Sequence, residues 1–201
     1  MAERRKTDRA AAAAGIKQFL EAFGIDLTTE RMEGTPDKVA AAFSIFFSGL
    51  EEDGLSFWGD SIETKTGGLV AVRRLTYYSI CEHHLLPFFG TVSIAYLPKD
   101  GRIAGFGRFA EAVRIFSRRP QLQERMTEQI CESVQRGLGA LGVVVVVTGR
   151  HLCLTMRNTL SDRTDIVTVA ATGALAEGTI LYERALKILE ADKRDRKTDN
   201  L

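Results

Sequence analysis

A chain of 201 residues is long enough to bury one good-sized hydrophobic core or two small ones. Its 45% hydrophobic and 26% charged residues are the balance of a soluble globular protein, and a formal charge of +1 gives no electrostatic reason to expect nucleic acid or a membrane as partner. The N-terminus reads as no signal peptide, and no apolar run reaches bilayer-spanning length.

In chain order, residues 1–25 predict an arginine- and alanine-rich helix whose apolar face carries Ile16, Phe19, Leu20 and Phe23, stopped by Gly24. A second helix is predicted from Thr35-Pro36, with threonine as N-cap and proline in the first turn, to Ser48-Gly49. Residues 51–68 are glycine-punctuated and acidic, the pattern of a loop with room for one turn of helix. From Leu69 the period changes. Strands are predicted over Leu69–Ile80 and Phe88–Leu97, followed by a turn at Pro98–Gly101 and a short continuation over Arg102–Phe106. Two helices follow, Arg108–Arg118 and one opened by Pro120 and running to Leu138. Then come a β-branched strand over Val143–Met156, its hairpin partner Arg163–Ala171, and a last helix over Thr179–Ala191. The charged tail 192–201 has the composition of a disordered segment. The expected divisions are therefore 1–68 (helices and loop), 69–191 (the core domain) and the tail. Runs of strands beside runs of helices argue for an α+β fold with an antiparallel sheet.

Two short stretches concentrate the chemistry. Cys81-Glu82-His83-His84 and His151-Leu152-Cys153 hold all three histidines of the chain and two of its three cysteines. On a strand, His151 and Cys153 would face one side of the sheet. Cys81, His84 and Cys153 make a soft three-ligand set with a fourth position open, the ligand count of a catalytic zinc, and His83 and His151 are left beside it as proton-transfer groups. An odd cysteine count without framework spacing fits a reducing cytoplasm and thiolate ligands better than disulfides; Cys131 reads as a core residue.

Four motifs in one order resemble GTP cyclohydrolase I: C-E-H-H-L-L-P-F (Cys81–Phe88), G-x-V-x-I-A-Y-x-P (Gly90–Pro98), R-R-x-Q-x-Q-E-R (Arg118–Arg125) and H-x-C-x-x-x-R (His151–Arg157). The resemblance implies the tunnelling fold, in which β-β-α-α-β-β units join their sheets into a ring. It implies a homodecamer with active sites at subunit boundaries, Zn2+ as cofactor, and conversion of GTP to 7,8-dihydroneopterin triphosphate and formate. By position it makes Cys81, His84 and Cys153 the zinc ligands and His83 and His151 the acid–base pair. Glu124 becomes the carboxylate on the guanine edge, Gln123 a neighbouring purine contact, and Arg157 a member of the phosphate pocket. A two-thiolate, one-imidazole zinc lowers the pKa of water so that a nucleophile is available to attack C8 of the purine. A carboxylate at Glu124 accepts from the guanine amide and amino edge, and adenine would leave it badly paired.

The departures from the family pattern gather at the phosphate end. Gly107, Arg108 and Glu111 stand where the family has serine, lysine and arginine; Lys38 and Ala41 stand for an arginine and a lysine, and Asn158 for a glycine. Arg108 and Lys38 keep a cation, whereas Glu111 reverses a charge. Arg73, Arg74, Arg102, Arg114, Arg118 and Arg163 offer replacement donors. Besides the standard GTP reaction, three readings remain open: a paralogue acting on a guanine nucleotide with fewer phosphates or on a modified purine, a tunnelling-fold relative of the nitrile-reductase kind, and a non-catalytic zinc-stabilised ring. Iron(II) also suits a Cys-His-Cys site.

Overall fold

The computed structural model describes residues 7–29, 31–65, 67–157 and 163–190; the predicted tail and Asn158 lie outside them. Two compact units divide the chain, Met1–Ser48 and Gly49–Leu201, so the second unit begins well before the change of period at Leu69. In the first unit, helix α1 (Arg9–Ala22) is capped by the Asp8 carboxylate, which accepts from the Ala11 amide at 2.9 Å. Helix α2 (Thr35–Phe46) differs from expectation at its start. Gly34 is the N-cap, Thr35 is already helical, and its hydroxyl turns back to the sulfur of Met32.

Two 3-10 turns, Ser48–Glu51 and Ser56–Trp58, lead into the second unit, the latter a turn of helix within the expected loop. The remaining elements are β1 (Ile62–Glu63), β2 (Val70–Cys81), β3 (Pro87–Leu97), β4 (Arg102–Ile103), α3 (Phe106–Ser117), β5 (Pro120–Gln121), α4 (Gln123–Leu138), β6 (Gly142–His151), α5 (Leu152–Thr155), β7 (Ile166–Gly173) and α6 (Ile180–Glu190). The main sheet has the order β5-β2-β3-β6-β7, and β1 pairs with β4 in a separate ribbon. The α+β class and the strand-strand-helix-helix-strand-strand order stand as the sequence predicted. The four long strands are antiparallel, but the fifth, β5, lies parallel to the end of β2. This corrects the reading of Pro120 as a helix opener. Pro120-Gln121 is strand, and α4 begins at Gln123.

Period-2 alternation decides which residues meet which helices. Phe88, Val92, Ile94 and Tyr96 of β3 and Val143, Val145 and Val147 of β6 join Phe109 of α3 and Met126, Ile130 and Val134 of α4 in the main core. Ala95 and Val144 face the other way, onto Leu181, Ala185 and Leu186 of α6. Each large side chain removed from water here contributes about 1.5–3 kcal/mol. Toward the β2–β3 turn α6 no longer covers its face, and Tyr78, stacked on Phe89, is exposed there, as are Val167 and Val169.

Trp58 shows how tightly the α3/α4 side is packed. Its ring is 3% exposed, lies edge-on to Phe109, and donates its indole N–H to Ser133 Oγ at 3.0 Å. A Cβ at Gly137 would fall 2.1 Å from the Trp58 ring. Helix propensity alone favours Gly137→Ala by about 1 kcal/mol; overpacking of a filled core costs about 1–3 kcal/mol. We expect the substitution to lower the denaturant midpoint, and a raised midpoint would show that the Trp58 contact yields freely.

Candidate metal centre and active site

Two strands that do not touch each other deliver the site. β3 lies between β2 and β6, pairing Ile80 with Pro87 on one side and Phe88 with His151 on the other. Beyond Ile80 the chain turns sharply. The Cys81 amide donates to the Leu86 carbonyl and the Leu85 amide to the Cys81 carbonyl, both at 2.9 Å, with Leu85 at φ 53°. Glu82, His83 and His84 form the turn. On the other side β6 ends at His151, and Cys153 sits in the one-turn helix α5. The expectation of one strand carrying both groups on one face is thus corrected, since the chain reaches the same place by coiling.

Cys81, His84 and Cys153 present ligand atoms that all lie within 4.8 Å of one another, and the Cys81 sulfur is 3.9 Å from His84 Nδ1. A tetrahedral zinc with bonds of about 2.0–2.3 Å needs ligand atoms roughly 3.5 Å apart, so small side-chain rotations suffice. Both sulfurs are buried. Burial and the neighbouring Cys81 thiol push the Cys153 thiol up to about 11. A cation beside it would make the Cys153 thiolate favourable at neutral pH, and two sulfurs with an imidazole are a donor set that fits a soft divalent metal. Cys131 lies apart from this cluster, buried in α4, with its sulfhydryl on the Val143 carbonyl and its pKa raised by burial to about 11.

The two remaining histidines are held differently. His83 is exposed; its Nε2 is 3.9 Å from a Glu82 carboxylate oxygen. The other oxygen of Glu82 accepts from Arg125, whose Nε in turn donates to the buried Gln121 side-chain oxygen at 2.8 Å. His151 is half-buried, stacked on Phe88 with ring centroids 4.6 Å apart, and its Nε2 lies 2.9 Å from Gln123 Oε1. Burial lowers the His151 pKa and the Glu124 charge opposes that fall. Neither glutamine network was read from the sequence. The Gln-x-Gln spacing is its one visible trace, because alternate residues of an extended segment share a face.

The predicted substrate residues fall in separate places. Glu124 is exposed in the first turn of α4 beside His151 and, among the described residues, makes no hydrogen bond or ion pair. Gln123, 1% exposed, spends its amide on protein groups. Arg157 lies against the metal cluster, its guanidinium 2.7 Å from His84 Nε2. Arg108 does not join them. It donates to the Phe57 carbonyl, and its neighbour Phe109 stacks on Tyr96, eight residues along β3 from Phe88. At about 3.3 Å per residue that is about 26 Å, further than an arginine reaches. Glu111 holds Arg114 at 2.8 Å, and Arg114 also pairs with Glu52. Lys38 belongs to α2 of the first unit.

The family model described as GTP cyclohydrolase I matches residues 12–190. The chain is similar to GTP cyclohydrolase 1 of Clostridium perfringens strain 13, with 38% identity over 175 residues, covering 87% of this chain and 94% of that protein. It is likewise 38% identical to GTP cyclohydrolase 1 of Streptococcus pyogenes serotype M1 over 181 residues, covering 90% and 93%. That of Lysinibacillus sphaericus strain C3-41 is 37% identical over 175 residues, covering 87% and 93%. Among solved structures, the archaeosine synthase QueF-Like in the apo form aligns with a TM-score of 0.44 and 22% identity over 54% of this chain and 97% of that one. With a family model spanning nearly the whole chain, and relatives of this identity matched almost end to end, the chain belongs to the GTP cyclohydrolase I family.

Proposed function

We propose that this chain catalyses the GTP cyclohydrolase I reaction: hydrolytic opening of the guanine imidazole ring at C8, release of formate, and re-closure onto the ribose carbons to give 7,8-dihydroneopterin triphosphate. The observation that carries the reading is one constellation at the end of the sheet. A Cys-His-Cys set, its two sulfurs buried and its His84 exposed, has the chain's two other histidines next to it in sequence, and Glu124 stands free in the first turn of α4. Cys81, His84 and Cys153 would hold zinc, or iron(II) in a cell that supplies it; the metal supplies Lewis acidity that makes water nucleophilic near neutral pH.

The protein's own groups do the rest. Glu124 accepts the guanine N1–H and amino N–H, fixing which purine edge enters and excluding adenine, which offers an acceptor there. His151, its ring plane set by Phe88, stays neutral through burial and exchanges protons with the imidazole nitrogens of the opening purine. His83, next to the Glu82 carboxylate, delivers or removes protons on the solvent side as the formyl group leaves. Arg157 reaches the same end and suits the phosphate-bearing tail.

Arg108 cannot reach this end in its own chain. We place it in the site of a second copy, so that each site takes its purine end from one subunit and cations from another. The exposed apolar side chains Tyr78, Val167 and Val169, the edge of β7 and the length of β2 that short β5 leaves uncovered suit sheet-to-sheet assembly into a ring, decameric in this reading. Three free cysteines suit work in a reducing cytoplasm. One observation favours a second reading, a substrate with fewer phosphates. Hydrogen bonding from Arg114 keeps the Glu111 carboxyl below its usual range, so a negative charge stands one helical turn from Arg108.

Formate and pterin formation with GTP, GDP, GMP and guanosine in parallel separates the two. Preference for GTP with a dihydroneopterin product supports the proposal; turnover of GMP with poor use of GTP supports the paralogue; no formate from any of them contradicts both. His83→Ala and His151→Ala should each retain the metal and lose about 10²–10⁴-fold in turnover, and undiminished turnover by either would remove that residue from catalysis. Cys153→Ala and Arg108→Ala should each be weak alone and regain activity when the two chains are co-assembled. Absence of recovery in mixed oligomers would place each site within one subunit.

A further inference from the structure

The network under His151 has a polarity that chemistry alone determines. Gln123 Nε2 lies 3.2 Å from the Val147 carbonyl, 3.0 Å from the Ile166 carbonyl and 3.2 Å from Thr168 Oγ1. Carbonyls only accept, so the NH2 of the amide must face them; turned over, the amide oxygen would meet two carbonyl oxygens with no proton between. The threonines agree. The Thr127 hydroxyl lies 2.7 Å from the Gln123 backbone carbonyl and must donate to it, and Thr168 Oγ1 lies 2.6 Å from Thr127 Oγ1. With its own proton spent, Thr127 accepts from Thr168, which leaves Thr168 Oγ1 free to accept from Gln123. Each threonine hydroxyl proton then has one place, and the two amide protons of Gln123 are shared among three acceptors. Gln123 Oε1 is left as an acceptor, facing His151 Nε2 at 2.9 Å and the buried Tyr77 hydroxyl at 3.4 Å.

We propose that Gln123 is a positioning residue rather than a purine contact: its amide oxygen holds the proton of neutral His151 on Nε2 and leaves the lone pair on Nδ1. A hydrogen-bond acceptor on one ring nitrogen of an imidazole fixes its tautomer and ring orientation in this way. Gly149 is part of the device. A Cβ there would lie 2.3 Å from Gln123 Oε1 and 2.5 Å from the Tyr77 oxygen, so only glycine leaves room for the amide under the histidine. The catalytic importance of the tautomer rests on the proposed function; the tautomer itself does not.

The test therefore has a readout that needs no turnover. In the zinc-loaded full chain labelled with 15N-histidine, three histidines give three resolvable rings, and His151→Ala assigns one of them. The long-range proton–nitrogen pattern of the neutral ring should show the proton on Nε2. In Gln123→Met, which keeps the volume and removes the acceptor, that pattern should shift toward a mixture, and kcat should fall about 10–100-fold with KM nearly unchanged. Gly149→Ala, which displaces the amide without altering it, should change the His151 signals in the same direction. A wild-type proton on Nδ1 would overturn the proposal. So would an unchanged His151 pattern in a folded Gln123→Met. A raised KM with unchanged kcat would return Gln123 to the role of a substrate contact. Loss of the pattern change in kinetics alone, with the nitrogen signals moving as expected, would leave the tautomer assignment standing and count against the reaction instead.

Discussion

The register of β3 between its two neighbours is the constraint on which the rest depends. Cys81 and Cys153 come from strands and turns that share no ladder, and only β3, paired to β2 through Ile80–Pro87 and to β6 through Phe88–His151, brings them together. A one-residue slip of either ladder would turn alternate side chains to the opposite face. Val143, Val145 and Val147 would then leave the α4 side and His151 would leave its place over Phe88. The hydrophobic pattern of the strands and the geometry of the metal cluster are therefore the same piece of information. Burying the valines on the correct face aligns the ligands.

The start of α4 supplies the second layer. Pro120-Gln121 is held as a short parallel strand against Ile80-Cys81, so the two buried glutamines and Glu124 enter the site region in fixed positions. Buried amides are costly unless every donor and acceptor is used, and here they are used on backbone carbonyls, threonines and charged groups leading to the histidines. One histidine is approached through Gln121, Arg125 and Glu82, the other directly through Gln123. The exposed Glu124, by contrast, makes no hydrogen bond or ion pair among the described residues.

Much of this could be read from residues alone. The change of period at Leu69 locates the sheet, and the gathering of all three histidines into two stretches locates the cluster. Other features were hidden for physical reasons. Pro120 carries the same local signal whether it opens a helix or closes an edge strand, and only pairing with β2 decides. The spacing of His151 and Cys153 looks like strand alternation, yet the chain coils after His151, because tertiary closure over Cys81 outweighs the β propensity of the preceding valines. The burial of Gln123 was illegible for a similar reason, since its partners Val147, Ile166 and Thr168 lie far off in sequence. The isolation of Arg108 from the metal end was equally invisible, because chain order carries no distance until the strand lengths are known.

The central claim, that two thiolates and one imidazole from Cys81, His84 and Cys153 hold a single metal with a position left open, is tested most directly by X-ray absorption at the zinc edge of the zinc-loaded chain. We expect two sulfurs at about 2.3 Å and one imidazole nitrogen at about 2.0–2.1 Å, with one further light atom. We also expect one sulfur to be lost in Cys153→Ala. A shell without sulfur, four sulfurs, or a spectrum indifferent to Cys153 would contradict the account.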